Sequence, residues 1–442
     1  MRAFATRWLT GDERTLGLVL ATGLLSIAFF RLDKLRADLG VAPTPDLPLV
    51  TLLVATALAW WSMLPRGFVW LDPPTLTWED YGALDRERLV ARRMARGWLV
   101  RQLALGYLLA LLAAIGSVPV EWTMAGAAVV LAAGALAFTA IRLAPGAPRS
   151  RPPGSAAGPM PGEAIAVAGF AGFAVVVRPG TWLLFGLAAV LVGGALRTVS
   201  RTRRPHVSLA GRVRLVDGWR DRVLRTSGLQ FLDLALLLPA ARPVRVRTLR
   251  APTGLRLAWL GILGRARHLA TAGLLALAAV ATHHAFPALL DEILFALLGY
   301  LALVPLGAGL GELWRSPGRR RWVGRSDLAL RLDNFVVLTG LAAAWAAFVL
   351  GAGLAGPGWN PTVLLTIPLM SACTIRTVTR VPPTYDNPAS VDTPIGSIPL
   401  RLIAQTVRGP DVGLLALVFL PVVPVAVGAG VVAVVVGFCL LR

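Results

Sequence analysis

Lys34 is the one lysine of this chain, although Lys and Arg together number 44. A phosphate-gripping loop of the G-x-x-x-x-G-K-[ST] type needs a lysine that reaches the β- and γ-phosphates. Lys34 sits in Leu32-Asp33-Lys34-Leu35, with no glycine-rich stretch before it. The chain is therefore expected not to hydrolyse ATP itself, and any ATP-driven process would need a separate polypeptide. The best metal-like grouping is His283-His284 followed by Asp291-Glu292. Imidazole and carboxylate suit zinc or a similar ion, but adjacent histidines diverge around a helix and no H-E-x-x-H spacing exists. These residues read as polar groups at an outer membrane surface, and neither a metal nor another cofactor is assigned. Nucleophilic chemistry fares no better. There is no G-x-S-x-G, and His206 and His268 lie among arginines without a paired serine or cysteine. Cys373 and Cys439 fall in apolar runs without a C-x-x-C pattern, so no zinc ribbon or disulfide framework is expected. No catalytic residue is assigned, and the chain is not read as an enzyme.

The spacing that remains informative is that of docking rather than reaction. Between Asp85 and Trp98, Val90, Met94 and Trp98 recur every fourth residue, opposite Arg88, Arg92 and Arg96. Such an amphipathic helix suits either a lipid surface or a partner's groove. A second segment, Gly311–Asn334, carries Trp314, Arg315 and Trp322, and a third, Thr384–Gly413, is polar and punctuated by Pro and Gly. Val90, Met94, Trp98, Trp314, Arg315 and Trp322 are the candidate contacts to a partner ATPase.

The elements that must hold these residues follow from composition. Only 15% of the 442 residues are charged while 56% are apolar, and the formal net charge is +21. Soluble domains carry roughly 25% charged residues, too many for this chain to match. Apolar runs of membrane-crossing character recur along it. Paired spans are expected at Thr15–Phe30 with Leu47–Leu64, Leu103–Val118 with Trp122–Ile141, and Ala164–Val177 with Thr181–Leu196. Further pairs follow at Leu269–Phe286 with Leu289–Leu310, and Phe335–Leu354 with Val363–Ile375. The last run, Val412–Leu441, is too long for one simple crossing and contains Pro421 and Pro424. A tight hairpin, favoured here, a re-entrant pair or one kinked helix would each fit. The arginines concentrate in loops between the runs, a topological signature rather than a nucleic-acid one. The first run lacks a small-x-small cleavage site and reads as a retained span.

The expected fold is an all-α polytopic membrane protein of about 12 crossings (11 remain possible), in two topologically similar six-helix halves. Residues 1–196 form the first half. Residues 197–268 form a basic cytoplasmic and interfacial connector, with Phe231–Leu238 as a surface helix, and residues 269–442 form the second half. Small residues such as Gly307, Gly309 and Gly311 would let helices approach closely.

In the Trp314–Arg321 loop, the Ser326–Asn334 stretch, and Thr393-Pro394-Ile395-Gly396 leading to Arg408-Gly409-Pro410-Asp411, the chain resembles a family of permease-like membrane proteins from high-GC bacteria. Trp70–Arg101 is similar in style. Members are often encoded beside ABC-transporter ATPases and near genes for natural-product export or self-protection. The resemblance implies the transmembrane subunit of an ABC-type exporter in the bacterial cytoplasmic membrane; the charge pattern places both termini in the cytoplasm, and the Ala, Leu, Val and aromatic surface of the spans suits an amphipathic or peptide-like substrate. It brings no assigned catalytic or binding residues. The partners implied are a separate ABC ATPase, the lipid bilayer and, in principle, a second copy of the chain, but no nucleic acid. A non-transporting membrane scaffold or immunity protein that binds a partner is the alternative. The charge asymmetry yields a topology test: cysteines introduced at Arg212 and Arg319 should react only with reagents that reach the cytoplasmic face. Reaction at Arg212 from outside would sink the two-half scheme.

Overall fold

The structure, a computed structural model, describes residues 29–39, 70–81, 86–143, 181–201, 212–230, 253–285, 290–351, 361–380, 390–393, 396–399 and 408–441, with isolated positions besides. These residues are nearly all helical; one antiparallel β-hairpin, Ser390–Thr393 with Gly396–Pro399, is the exception. Among the described residues, five helices are long and apolar enough to cross a membrane: Leu89–Ile115, Val120–Thr139, Asp291–Trp314, Asp327–Val349 and Pro361–Val378. The expected spans Leu47–Leu64 and Ala164–Val177, most of Thr15–Phe30, and the expected surface helix Phe231–Leu238 lie outside the described residues.

On the N-terminal side the helices are α1 (Leu32–Leu39), α2 (Pro73–Tyr81), α3 (Arg86–Ile115), α4 (Val120–Leu143), α5 (Thr181–Arg201) and α6 (Arg212–Gln230). The amphipathic segment and the following span, expected as separate pieces, are one helix of 30 residues in α3. No proline interrupts it, so nothing stops the hydrogen-bond ladder between Trp98 and Leu103. At 1.5 Å per residue it is about 45 Å long, more than a ~30 Å hydrocarbon core requires. Its arginine-bearing first turns therefore project past the apolar part. At the far end, Arg36 of α1 donates to the carbonyls of Ala114, at 2.6 Å, and Ile115, at 3.1 Å. These are last-turn carbonyls at the negative end of the helix dipole, and Ala114's also accepts from the Ser117 N–H at 3.3 Å. Helices α4 and α5 lie along each other through small residues; Ala125, Ala133 and Ala137 are fully buried there. Between helices in lipid, such close backbone approach supplies the packing energy.

The C-terminal side comprises α7 (Gly254–Leu263), α8 (Leu269–Ala285), α9 (Asp291–Trp314), α10 (Pro317–Trp322), α11 (Asp327–Val349), α12 (Thr366–Val378), α13 (Pro410–Phe419) and α14 (Val425–Leu441). Helix α12 is central, touching α9, α11, α13 and α14. It runs parallel to α9. Thr362, just before it, donates to Glu292 at 2.6 Å, Gly299 faces Met370, and Gly307 faces Thr374 and Val378. Helix α11 starts earlier than the expected Phe335, because Ser326 caps it by accepting from the Ala329 N–H at 3.2 Å.

Helix α7 was not expected. Its ten residues are too few to cross, so it reads as connector, yet Ala258 and Ile262 join the core made by α8, α9 and α11. The second packing group thus begins before residue 269. Leu277 and Ala278 of α8 also reach the core of α3, α4 and α5.

The final apolar run breaks into α13 and α14 around Pro421 and Pro424. Helix α13 starts beside α12's Arg376, whose Nη2 lies 3.1 Å from the Asp411 carboxylate. The turn sits at the opposite end, where Gly428 approaches Leu420 and Leu365. Helix α14 then returns, so that Phe438 lies against Arg376 and the Leu440 carbonyl accepts from Arg331 at 3.0 Å. The arrangement is a hairpin with unequal arms, of 10 and 17 residues. Gly409, before α13, adopts φ 121, and an added Cβ would collide with the Thr377 hydroxyl, so glycine is required there twice over.

Helices α7 and α9 cross glycine on glycine: a Cβ on Gly309 would fall 3.0 Å from the Gly261 Cα. Gly309→Val should therefore push α7 away and cost about 1–3 kcal/mol, read as a lowered thermal midpoint in detergent. Gly340→Ala, where a Cβ meets nothing within 4 Å, should be neutral or slightly stabilising.

Candidate functional site

One sequence pattern occurs in both packing groups: Trp70-Leu71-Asp72-Pro73 and Trp314-Arg315-Ser316-Pro317, each with a second tryptophan eight positions after the first (70 to 78, 314 to 322). Each begins a short helix with Pro at its first turn, a residue preorganised for that position, giving α2 and α10. Asp72 acts as the cap of α2, accepting from the Thr75 N–H at 3.2 Å and from the Thr75 hydroxyl.

The first tryptophan of each pattern is held by arginines. The Arg93 and Arg222 guanidiniums lie 4.7 and 4.6 Å from the Trp70 ring. Those of Arg320 and Arg331 lie 4.7 and 4.8 Å from the Trp314 ring. One carboxylate steadies each cluster: Asp72 is 2.8 Å from Arg93, and Asp327 is 3.3 Å from Arg320. Two cations over one ring repel each other, so each clasp depends on that carboxylate as well as on the ring quadrupole. The second tryptophan of each pattern is left outside. Trp78 is 78% exposed and Trp322 92% exposed.

The residues expected to contact a partner divide sharply. Val90 and Met94 are 2% and 1% exposed, so their apolar face is turned inward and is already covered. Trp98 is partly buried; its indole N–H donates to the Gly134 carbonyl at 2.9 Å and its ring packs on Phe138. Trp314 is occupied by its clasp. Arg315 and Trp322 remain exposed. The Val90-Met94 stripe, expected to meet lipid or a partner's groove, is instead buried within the chain. No described contact brings Val90, Met94 or Trp98 to Trp314, Arg315 or Trp322. Trp78 was missed, although the repeated Trp-to-Trp spacing was there to find it.

At the opposite end of α8 and α9, His283 Nδ1 lies 2.6 Å from Asp291, and Glu292 turns inward, 3% exposed, to its bond with Thr362. Among the described residues, no group of three or more His, Cys, Asp or Glu side chains could hold a metal ion.

No family model, curated protein or solved structure matches the chain. Its class rests on the helices themselves: five of membrane-spanning length and apolar composition fit a helical, membrane-associated protein.

The first clasp makes a pH prediction. Burial would raise the Asp72 carboxyl, but hydrogen bonds from the Thr75 and Arg93 side chains and from the backbone outweigh it. They bring the pKa from 3.8 down to about 2. A depressed folded value means the stabilisation is fully present above the unfolded pKa and fades as pH falls through about 2. Asn caps a helix as well as Asp, so Asp72→Asn removes only the charge toward Arg93 and should lower the thermal midpoint near neutral pH by a loss of up to about 1 kcal/mol. Its deficit against the parent should shrink toward zero as the pH approaches the folded value. An undiminished deficit in acid would show that the carboxylate's charge is not what holds the clasp.

Proposed function

We propose that the chain is the transmembrane, permease-type subunit of an exporter in a bacterial cytoplasmic membrane, working with a separately encoded ATPase of the ABC type. The observation that carries this reading is the paired exposed tryptophan. Trp78 and Trp322 stand on two short helices built by one repeated pattern, each braced by a tryptophan-arginine clasp. An ATPase that works as two copies needs two such footholds, and exposed tryptophans flanked by arginines are what protein interfaces use as anchors. In this reading the arginine-bearing ends of α9, α11 and α12 face the cytoplasm. The 12-crossing, two-half architecture with both termini cytoplasmic belongs to the same proposal. The chain supplies no nucleotide chemistry, because its lone Lys34 has no glycine-rich loop. Hydrolysis belongs to the partner. The substrate class is amphipathic or peptide-like, since the spans offer Ala, Leu, Val and aromatic surface.

The test uses the full chain co-expressed with a separately encoded ABC-type ATPase. Trp78→Ala and Trp322→Ala remove side chains that are largely exposed, so the fold should survive. Each should weaken the association by roughly 30-fold, the value of about 2 kcal/mol for an interface tryptophan, and together they should abolish co-purification and stimulated hydrolysis. Full recruitment and activity in the double variant would overturn these contacts. A complex that forms but never shows compound-stimulated hydrolysis would return the chain to the scaffold reading.

A further inference from the structure

Cys373 and Cys439 are the chain's two cysteines. Helices α12 and α14 pack together and place both in one buried cluster, each as a free thiol, with Phe438, next to Cys439, lying on Arg376, one turn after Cys373. The surroundings are tight: a Cβ on Gly413 of α13 would fall 2.6 Å from the Cys373 sulfur. Beside them lies Arg376, one turn after Cys373 on α12. Its side chain is 10% exposed, and it spends one nitrogen on Asp411 at 3.1 Å and its face on Phe438 at 4.6 Å. Its Nε and Nη1 are buried without a hydrogen-bond partner, and the guanidinium is in electrostatic contact with Cys439. A guanidinium in this position meets the negative charge that develops on a sulfur as it attacks.

We propose that Cys373 and Cys439 form a redox modification site that closes to an intrachain disulfide between α12 and α14, with a peroxide as oxidant. The Cys439 sulfur attacks one peroxide oxygen. The O–O bond breaks, and the departing hydroxide takes a proton to become water, leaving a sulfenic acid. The Cys373 sulfur then attacks the oxidised sulfur. The S–S bond forms, the S–O bond breaks, and the hydroxyl leaves as a second water with the Cys373 proton. Two thiols and one peroxide give one disulfide and two waters; sulfur loses the two electrons that the O–O bond gains. Buried thiols are ordinarily inert. Here Cys439 lies in the last turn of α14, next to Leu440 and an exposed Leu441, and last turns of helices fray. A small uncharged oxidant can enter when that turn opens. The bond would fasten the returning arm of the hairpin to the central helix at the level where Arg331 holds the Leu440 carbonyl. This inference does not depend on the exporter reading.

The experiment needs only the full-length parent protein in detergent. After hydrogen peroxide treatment, the protein is denatured, alkylated with N-ethylmaleimide and weighed intact. The expected product takes up no maleimide, has lost two hydrogens, runs as a monomer without reductant, and yields a linked peptide containing Cys373 and Cys439. Dithiothreitol should restore two maleimide additions. Two maleimides after peroxide would overturn the proposal. So would one thiol oxidised alone, or a disulfide between chains. Arg376→Gln should slow closure on the order of tenfold, whereas closure at the parental rate would remove the part assigned to Arg376.

Discussion

A helix surrounded by other helices can carry polar side chains only if their hydrogen bonds close without water. The central helix α12 meets that requirement on itself. Ser371 donates to the Ile367 carbonyl at 3.0 Å, and Thr374, Thr377 and Thr379 donate to the carbonyls of Met370, Cys373 and Ile375, each at 2.8 Å. A hydroxyl that bonds back to the carbonyl four residues earlier needs no partner on a neighbouring helix. It leaves a surface nearly as apolar as alanine. That is why α9, α11, α13 and α14 can all close around α12 although its sequence is the most polar of the long helices on this side. Tyr300 of α9 then uses Thr377 as its partner, at 2.9 Å, so the few cross-helix polar bonds fix register rather than fill space.

The same constraint suits arginine to the buried basic positions. At one end of the C-terminal group, guanidiniums are buried against mixed partners. Arg265, 1% exposed, binds Glu312 and the Gly261 carbonyl. Arg331 binds the Leu440 carbonyl and lies on Trp314. Arg376 binds Asp411 and lies on Phe438. A planar cation with five donors can serve a carbonyl along its edge and an aromatic ring on its face at once. An ammonium offers no such face. Among the described residues at that end, the carboxylates of Glu312, Asp327, Asp333 and Asp411 are each paired with an arginine.

Much of this was legible, and the failures have physical causes. Hydropathy placed α9 and α4 to within a few residues, since nothing competes with a long apolar run. Periodicity picked out Val90 and Met94 as one face of a helix; period reports burial, not what does the burying, and the chain's own packing took that face. Helix α7 escaped because ten residues cannot cross a bilayer, and a length criterion discards a helix that stops at the surface and packs inward. The early start of α11 escaped because Asp327, Arg331 and Asp333 look like loop residues, whereas Ser326 capping and the placing of Arg331 over Trp314 make them helical. The repeated tryptophan pattern was plain in the residues, but it repeats eight positions out of two long halves, too little for whole-half similarity to expose.

The two clasps are built alike but reach differently, and that difference bears on how the packing groups are joined. The Trp314 clasp is local, since Arg320 and Arg331 come from the helices that follow it. The Trp70 clasp takes Arg93 from α3 but Arg222 from α6, far along the chain, and the Leu71 N–H donates to the Leu215 carbonyl at 3.3 Å beside it. One end of the basic connector is thereby fastened to the N-terminal group. Its other end, α7, is fastened to the C-terminal group by the Gly261–Gly309 crossing and by Arg265 on Glu312. The connector thus has one end on each packing group, and α8 adds a second link through Leu277 and Ala278. Trp78 stands next to the first attachment and Trp322 next to the helix that packs on the second. A partner holding both tryptophans would act on the two ends of that connector, and the clasps are what would make its grip rigid enough to matter.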